Sequence, residues 1–397
     1  MAGDTFFRFE MRSAVESGPG SRRRVGGVLQ GLGARRVLLV TDRGLRSAGV
    51  AAEVEGALEA DSRGIAIASA YERVEQDARA GTVAEIAQAF QDAGADGIVA
   101  VGGGSVLDAV KAARWLLGRG LRDPRQELRG NRGERWPKAG PIGIPFVALP
   151  TTAGTGAEVS PVAVVLNEDL GVKTNLLSPF IVADVAILDA ELTVSLPPEI
   201  TAFTGFDAMT HAVEAFFSPR ANPISDAHAL AAARVIVRDL PRVAADGGDL
   251  AARQRMLVAS SLAILAFSLA LDAIPVHNLS HALGGRFGLP HGLCNAVLLP
   301  EVLDALPSLY LGRAGEFARA IGLPVAPGPA AELVGLSGFL RRLREDLGLP
   351  GDFRALGLNP NGRGELAELV RSDPAGVAYE IPREALEKVF REVFGLS

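Results

Sequence analysis

The chain has almost no cysteine and little histidine. Cys294 is the single cysteine among 397 residues. An intramolecular disulfide is therefore excluded, and the usage fits a reducing cytosol. Basic charge is not in excess. The formal net charge of −6 argues against a general nucleic-acid binder, which needs cations to neutralise phosphates. The longest apolar run, from about Leu257 to Leu271, carries Ser260, Ser261 and Ser268 and stops at Asp272. It is too short to span a bilayer and reads as a buried helix. The N-terminus MAGDTFFRFEMRSAVESG has charges where a signal peptide needs an apolar stretch, so a cytoplasmic protein is expected. Lysine is scarce beside arginine, which makes Lys111 and Lys173 conspicuous.

What is present describes a globular protein: 48% hydrophobic and 22% charged residues, the balance of an ordinary packed chain. The length exceeds a usual single core, so two domains are expected. RRVLLVTD, from Arg35 to Asp42, is a continuous apolar run ending in a carboxylate and reads as a buried parallel strand. GIAIASAY, DGIVAVGGGS, PFVALP and VADVAILDAEL read as further strands. VAAEVEGALEA, TVAEIAQAFQDAGA and VLDAVKAARWLL read as the helices between them. This alternation predicts βαβ units and a parallel sheet. Residues 118–140 are rich in Gly, Pro and Arg without a period and read as a solvated surface loop. After LPPEI, at Leu196 to Ile200, helical periodicity takes over. The predicted division is an α/β domain over 1–195 and a helical domain over 196–397.

Three of the five histidines fall in PVHNLSHALGGRFGLPHG. His277 and His281 are four apart, one turn on a helix. His291 follows a Gly-Gly turn and Pro290, where a bend is expected. GFDAMTHAVE repeats the spacing with Asp207 and His211. One carboxylate and several imidazoles, presented from two helices and a turn, suit a divalent metal such as zinc or iron. His228 has no such partners and reads as a helix-surface or core histidine. Cys294 reads as a small buried residue and not as a nucleophile. A zinc peptidase is excluded because Asn278, not Glu, follows the first histidine of the pair.

Gly102, Gly103, Gly104 and Ser105 lie between a buried strand and a helix, where the backbone can approach a phosphate. The pattern is not GxGxxG, and Asp42 precedes the glycines instead of following them. A second small-residue loop, Thr151 to Gly156, offers hydroxyls at another strand end.

GGGSVLDAVK, ALPTTAGTGAEVS, GFDAMTHAVE and VHNLSHALGGRFGLPHG, in this order, resemble the iron-containing (group III) alcohol dehydrogenases. The resemblance implies a Rossmann-like α/β dinucleotide-binding domain and an all-α domain in a dehydroquinate synthase-like architecture, with the active site in the cleft between them. It implies Asp207, His211, His277 and His291 as ligands of Fe2+, or of Zn2+ or Mn2+. It puts His281 near substrate and nicotinamide, where imidazole can relay a proton. It assigns Gly102, Gly103, Gly104 and Ser105 to the cofactor pyrophosphate and puts Asp108, Thr151, Thr152, Thr155, Val164 and Lys173 around the cofactor. Asp42 matches the acid on the adenosine ribose, which favours NAD over NADP. The implied activity is NAD(H)-dependent interconversion of a primary alcohol and an aldehyde by a homodimer, with no nucleic-acid or membrane partner.

Two segments depart from the family pattern. Where Val-x-Pro-Asn-Pro-Thr is usual, Val74 is followed by Glu75, Gln76, Asp77, Ala78 and Arg79. Both prolines are gone, and Asp77 replaces an asparagine expected near the cofactor. LDAIPV before His277 replaces a small-residue stretch, so substrate choice does not transfer. The competing readings are a maleylacetate reductase-like or glycerol dehydrogenase-like reductase, and a non-catalytic NAD-binding protein. Asp108 counts against the first of these, and the intact Asp-His-His-His set against the last.

Overall fold

The computed structural model describes residues 6–135, 139–358, 363–376 and 378–395. It divides into two compact units. One is Glu10–Leu196; the other is Pro197 onward together with the N-terminal segment up to Phe9.

Among the described residues the first unit carries nine strands: β1 (Ala14–Ser17), β2 (Arg36–Val40), β3 (Ala66–Tyr71), β4 (Gly97–Gly102), β5 (Arg132–Gly133), β6 (Phe146–Pro150), β7 (Val162–Asn167), β8 (Val172–Leu177) and β9 (Val185–Leu188). Six pair in parallel in the order β1-β9-β6-β4-β2-β3. The helices are α1 (Val25–Gly31), α2 (Arg43–Ser47), α3 (Val50–Glu59), α4 (Ala80–Asp92), α5 (Gly104–Gly118) and α6 (Pro124–Glu127). Successive side chains of a strand face opposite ways, and both faces here are apolar. Leu38, Val40, Ile98, Ala100, Phe146 and Ala148 join the core under α4 and α5. Val37, Val99, Val101, Val147, Leu149 and Ile187 join the core under α1 and α3. Burial on both sides is why these runs read as unbroken apolar stretches.

The chain leaves β2 for β3 on one side and returns to β4 on the other. The strand order therefore reverses between β2 and β4, and open α/β sheets bind ligands outside the carboxyl ends at such a point. Asp42 follows β2 there, and the three glycines run from the end of β4 into α5.

The sequence reading needs two corrections here. VKTNLL had no assigned strand, yet it forms β8, antiparallel to β7 across a turn closed by Gly171 at φ 65°. Its polar residues hid it; Thr174 hydrogen-bonds the Val165 carbonyl (3.1 Å) and is fully buried. The expected surface loop over 118–140 is also partly built. It contains α6 and β5, and β5 pairs with β8; residues 136–138 lie outside the described residues. Glu134 pins this segment. It accepts from Arg119 (2.8 Å), Trp115 Nε1 (2.9 Å) and Ser178 Oγ (3.1 Å).

The second unit is helical: α7 (Pro198–Phe217), α8 (Pro223–Ala245), α9 (Leu250–Leu269), α10 (Pro275–Phe287), α11 (His291–Ala305), α12 (Pro307–Tyr310), α13 (Ala314–Ala320), α14 (Pro329–Asp346), α15 (Arg363–Ser372) and α16 (Arg383–Phe394). α7 is buried nearly all round, as an interior helix must be when apolar on every face. α9 is long and apolar enough to cross a membrane by composition, but 61% of that stretch is buried inside the protein. It is packed against α7 and α8. Asn222 and Ser225 form a reciprocal cap at the start of α8.

The Arg119 guanidinium, with Trp115 and Ser178, depresses the Glu134 carboxyl to about 2. A depressed carboxyl stabilises the fold fully above its unfolded value and loses that contribution as pH falls. The stability gap between the protein and Glu134→Gln is therefore expected to be constant above about pH 4.5 and to close towards pH 2. Urea midpoints across that range measure it; a gap independent of pH would refute it.

Candidate metal centre and nucleotide cradle

The four histidine and aspartate ligands expected from sequence converge. Asp207 and His211 lie one turn apart on α7, and His277 lies on the first turn of α10. One donor atom from each of these three lies within 4.8 Å of the others. His291 brings Nε2 to 3.5 Å from Asp207 Oδ1, and His277 Nε2 stands 3.7 Å from the same oxygen. The rings of His211 and His277 stack at 4.6 Å, and those of His277 and His291 lie 5.3 Å apart. His291 is not on a turn, as expected from sequence. The bend falls at Gly288 (φ 67°), and His291 is the first residue of α11. Three helices thus present the donors.

The donor set fits a divalent ion. Donors bonded to one ion at about 2.0–2.2 Å lie no more than about 4.4 Å apart, so the cluster stands near coordination distance. His277 Nε2 is buried and has no hydrogen-bond partner, and its other nitrogen explains why. Nδ1 bonds Glu214 Oε2, while Glu214 Oε1 accepts from the Val276 amide (2.6 Å). This fixes a proton on Nδ1 and points Nε2 into the cluster. His291 is held in the same way. Its Nδ1 bonds Ser280 Oγ (3.0 Å), which donates in turn to the His291 carbonyl (3.1 Å). Asn295 Nδ2 donates to Asp207 Oδ1 (2.7 Å).

Burial would push the Asp207 carboxyl up. The charges on His211, His291 and His277 outweigh burial and hold it far below the carboxylate range. Burial would likewise lower His277, but Glu214 and Asp207 raise it to about 9. The two buried carboxylates thus favour positive charge in the pocket.

Sequence reasoning missed Glu214, Ser280 and Asn295. A signal for Glu214 existed: it is a lone acid in the apolar run AVEAFF, seven residues after Asp207 and so on the same helix face. His281 is one turn beyond His277, its ring 5.0 Å from that of His291. It stands beside the cluster and not within it. Phe267 packs against both His211 (4.9 Å) and His277 (4.7 Å). His228 bonds the Ile224 carbonyl one turn back (2.8 Å) and meets the Phe9 ring. Cys294 is fully buried.

In the first unit the two small-residue loops meet. A methyl on Gly103 would lie 3.2 Å from Thr152 Oγ1, and one on Gly104 would lie 2.7 Å from Thr155 Cγ2. A side chain at 104 would force the loops apart, and one at 103 would crowd Thr152. No side chain caps α5, so its first-turn amides face the space that an anion would take. The Thr151 amide bonds the Gly102 carbonyl (3.2 Å). Asp42 caps α2 through Oδ1 to the Leu45 amide (2.8 Å). Asp108 turns one oxygen to the Val164 amide (3.0 Å) and the other to Lys111 (2.8 Å). Lys111 is fully buried and also donates to the carbonyls of Ala157 (2.9 Å), Ser160 (3.3 Å) and Val162. Lys173 pairs with Asp77 at 2.7 Å.

Two substitutions test the metal centre. Glu214→Gln removes the charge behind His277, and metal affinity is expected to fall by about 10- to 100-fold. Gly292→Ala puts a methyl 2.4 Å from the Phe203 carbonyl; it displaces the start of α11 and weakens the same binding. Chelator competition on the purified proteins reads both, and unchanged affinity in Glu214→Gln would refute its role.

Known proteins give this geometry its family. Residues 13–190 match the description "Iron-containing alcohol dehydrogenase", and residues 201–393 match "Fe-containing alcohol dehydrogenase family, C-terminal". The chain is 37% identical over 315 residues to the probable alcohol dehydrogenase EutG of Escherichia coli (strain K12), covering 79% of this chain and 76% of that one. A crystal structure of 1,3-propanediol oxidoreductase superposes with a TM-score of 0.88 at 33% identity, over 98% of this chain and 100% of the other. The sulfoacetaldehyde reductase of Bifidobacterium kashiwanohense, solved in complex with NAD+, superposes with a TM-score of 0.84 at 27% identity, over 99% and 100%. Both halves of the sequence match and the fold agrees along its length, so the chain belongs to the iron-containing alcohol dehydrogenase family.

Proposed function

We propose that the protein is a metal-dependent NAD(H) oxidoreductase that interconverts a primary alcohol and an aldehyde by hydride transfer. The observation that carries this reading is the buried cluster of Asp207, His211, His277 and His291, with His277 Nε2 directed into it by Glu214. Those four residues hold the metal, taken as Fe2+ with Zn2+ or Mn2+ as alternatives. When bound, the ion supplies Lewis acidity to the alcohol or carbonyl oxygen. Asp207 and the imidazoles keep it in place, and Asn295 and Ser280 hold two of those ligands at their working angles. His281, beside His291 and half-buried like it, moves a proton between the alcohol oxygen and solvent.

Gly102 to Ser105 and the first turn of α5 bind the pyrophosphate. Thr151, Thr152, Thr155, Val164, Asp108 and Lys173 frame the rest of the cofactor. Asp42 takes the adenosine ribose and disfavours a 2′-phosphate. The NAD+ complex of the reductase of Bifidobacterium kashiwanohense supports the choice of dinucleotide. Short aliphatic aldehydes are the substrate class, by analogy with 1,3-propanediol oxidoreductase. A cytoplasmic homodimer completes the reading. Phe6, Phe7, Phe9 and Met11 are exposed ahead of edge strand β1, and a second copy would cover such a surface.

The test is anaerobic purification, elemental analysis, and NADH oxidation with a panel of short aldehydes with and without Fe2+. Stoichiometric metal and aldehyde-dependent oxidation are expected, and His277→Ala or Asp207→Ala should abolish both. Normal turnover by either variant after chelation would sink the metal assignment. Asp42→Gly is expected to shift preference towards NADPH by about tenfold or more; an unchanged NADPH-to-NADH ratio of kcat/KM counts against that residue's role.

A further inference from the structure

Asp77 is the only non-glycine residue with left-handed backbone among those described, at φ 59°. That conformation is costly for an L-residue and least so for Asn and Asp, and it persists where surrounding contacts fix it. Two contacts fix it here. The Asp77 amide donates to Ser105 Oγ (3.1 Å), on the first turn of α5. Its carboxylate takes Lys173 Nζ at 2.7 Å, from β8. Asp77, between β3 and α4, thus ties the start of α5 to β8. Lys173 is 7% exposed, and its charge is spent on this carboxylate.

The brace alone does not require a carboxylate. Asparagine adopts the same backbone at least as readily, keeps the amide bond to Ser105 and still offers Lys173 an oxygen. What aspartate adds is charge. With it the pair is neutral; with asparagine the cradle gains a net cation, while a dinucleotide brings two negative phosphates.

We propose that Asp77 sets the charge of the nucleotide cradle: by neutralising Lys173 it holds the affinity for NAD(H) below what the same backbone would otherwise give. This rests on the reading of the cradle as an NAD(H) site. Asp77 is a positioning and charge-setting residue and is not given a chemical step.

The experiment is NADH titration by fluorescence on the full-length protein as purified, for the wild type, Asp77→Asn, Lys173→Met and the double variant, at low and high salt. Affinity is expected to follow the net charge of the pair. Asp77→Asn binds on the order of three- to tenfold tighter than the wild type at low salt, Lys173→Met binds weakest, and the double variant returns towards the wild type. The spread narrows as salt screens it. A brace without an electrostatic role would leave binding unchanged or weaken it in both single variants. Equal or weaker binding by Asp77→Asn, beside a wild type that binds NADH, overturns the proposal and leaves the cofactor assignment standing. A wild type that does not bind NADH overturns both.

Discussion

Two carboxylates buried on one helix organise the helical unit. Asp207 and Glu214 are each only 2% exposed, and an uncompensated buried charge costs several kcal/mol. Each is answered by groups from another helix. Glu214 accepts the Val276 amide, one of the orphan donors of the first turn of α10, so the same carboxylate caps that helix and sets the tautomer of His277. Asp207 is met by Asn295 and His291 from α11. The contacts that seat α10 and α11 on α7 are therefore the contacts that orient the proposed metal ligands. The two buried carboxylates favour positive charge there, which suits a divalent cation.

The first unit solves a different problem, the approach of two loops to each other. Gly103 and Gly104 let the end of β4 touch Thr152 and Thr155. The loop that brings those threonines is held by Lys111, a buried cation satisfied by three carbonyls and Asp108. A lysine with its ammonium fully inside is tolerated only when its donors are taken. Here they are, and the loop carbonyls it gathers fix the wall that faces the glycines. Asp108 connects this brace to β7 through the Val164 amide. Its carboxylate acts on protein groups, so the role proposed for it around the cofactor would be carried through β7 and Lys111.

Much of this was legible in the residues. The parallel strands show as unbroken apolar runs because both sheet faces are covered. The Asp207/His211 pair shows as helical spacing. His291 was expected after a bend, and the bend is present at Gly288, but His291 already opens the next helix. Glu214 escaped because a single sequence shows an acid on a helix without showing that the helix is interior. β8 escaped because Lys173, Thr174 and Asn175 look like a loop. Lys173 and Thr174 are buried only because Asp77 and the Val165 carbonyl receive them. Such partners lie 96 and 9 positions away in the chain, beyond what periodicity can report.

Each unit builds its own candidate site from its own residues. The metal donors and their supports, from Asp207 to Asn295, all belong to the helical unit. Asp42, the glycine turn, the threonine loop, Asp77 and Lys173 all belong to the α/β unit. Residues without shared partners perturb independently, while residues in one hydrogen-bonded network do not. A change at Glu214 then alters metal affinity without altering the intrinsic affinity for a nucleotide, and a change at Asp77 does the reverse. Turnover needs both ligands at once, so activity alone confounds the two. Separate binding measurements resolve them, and they assign a dead variant to the site that failed.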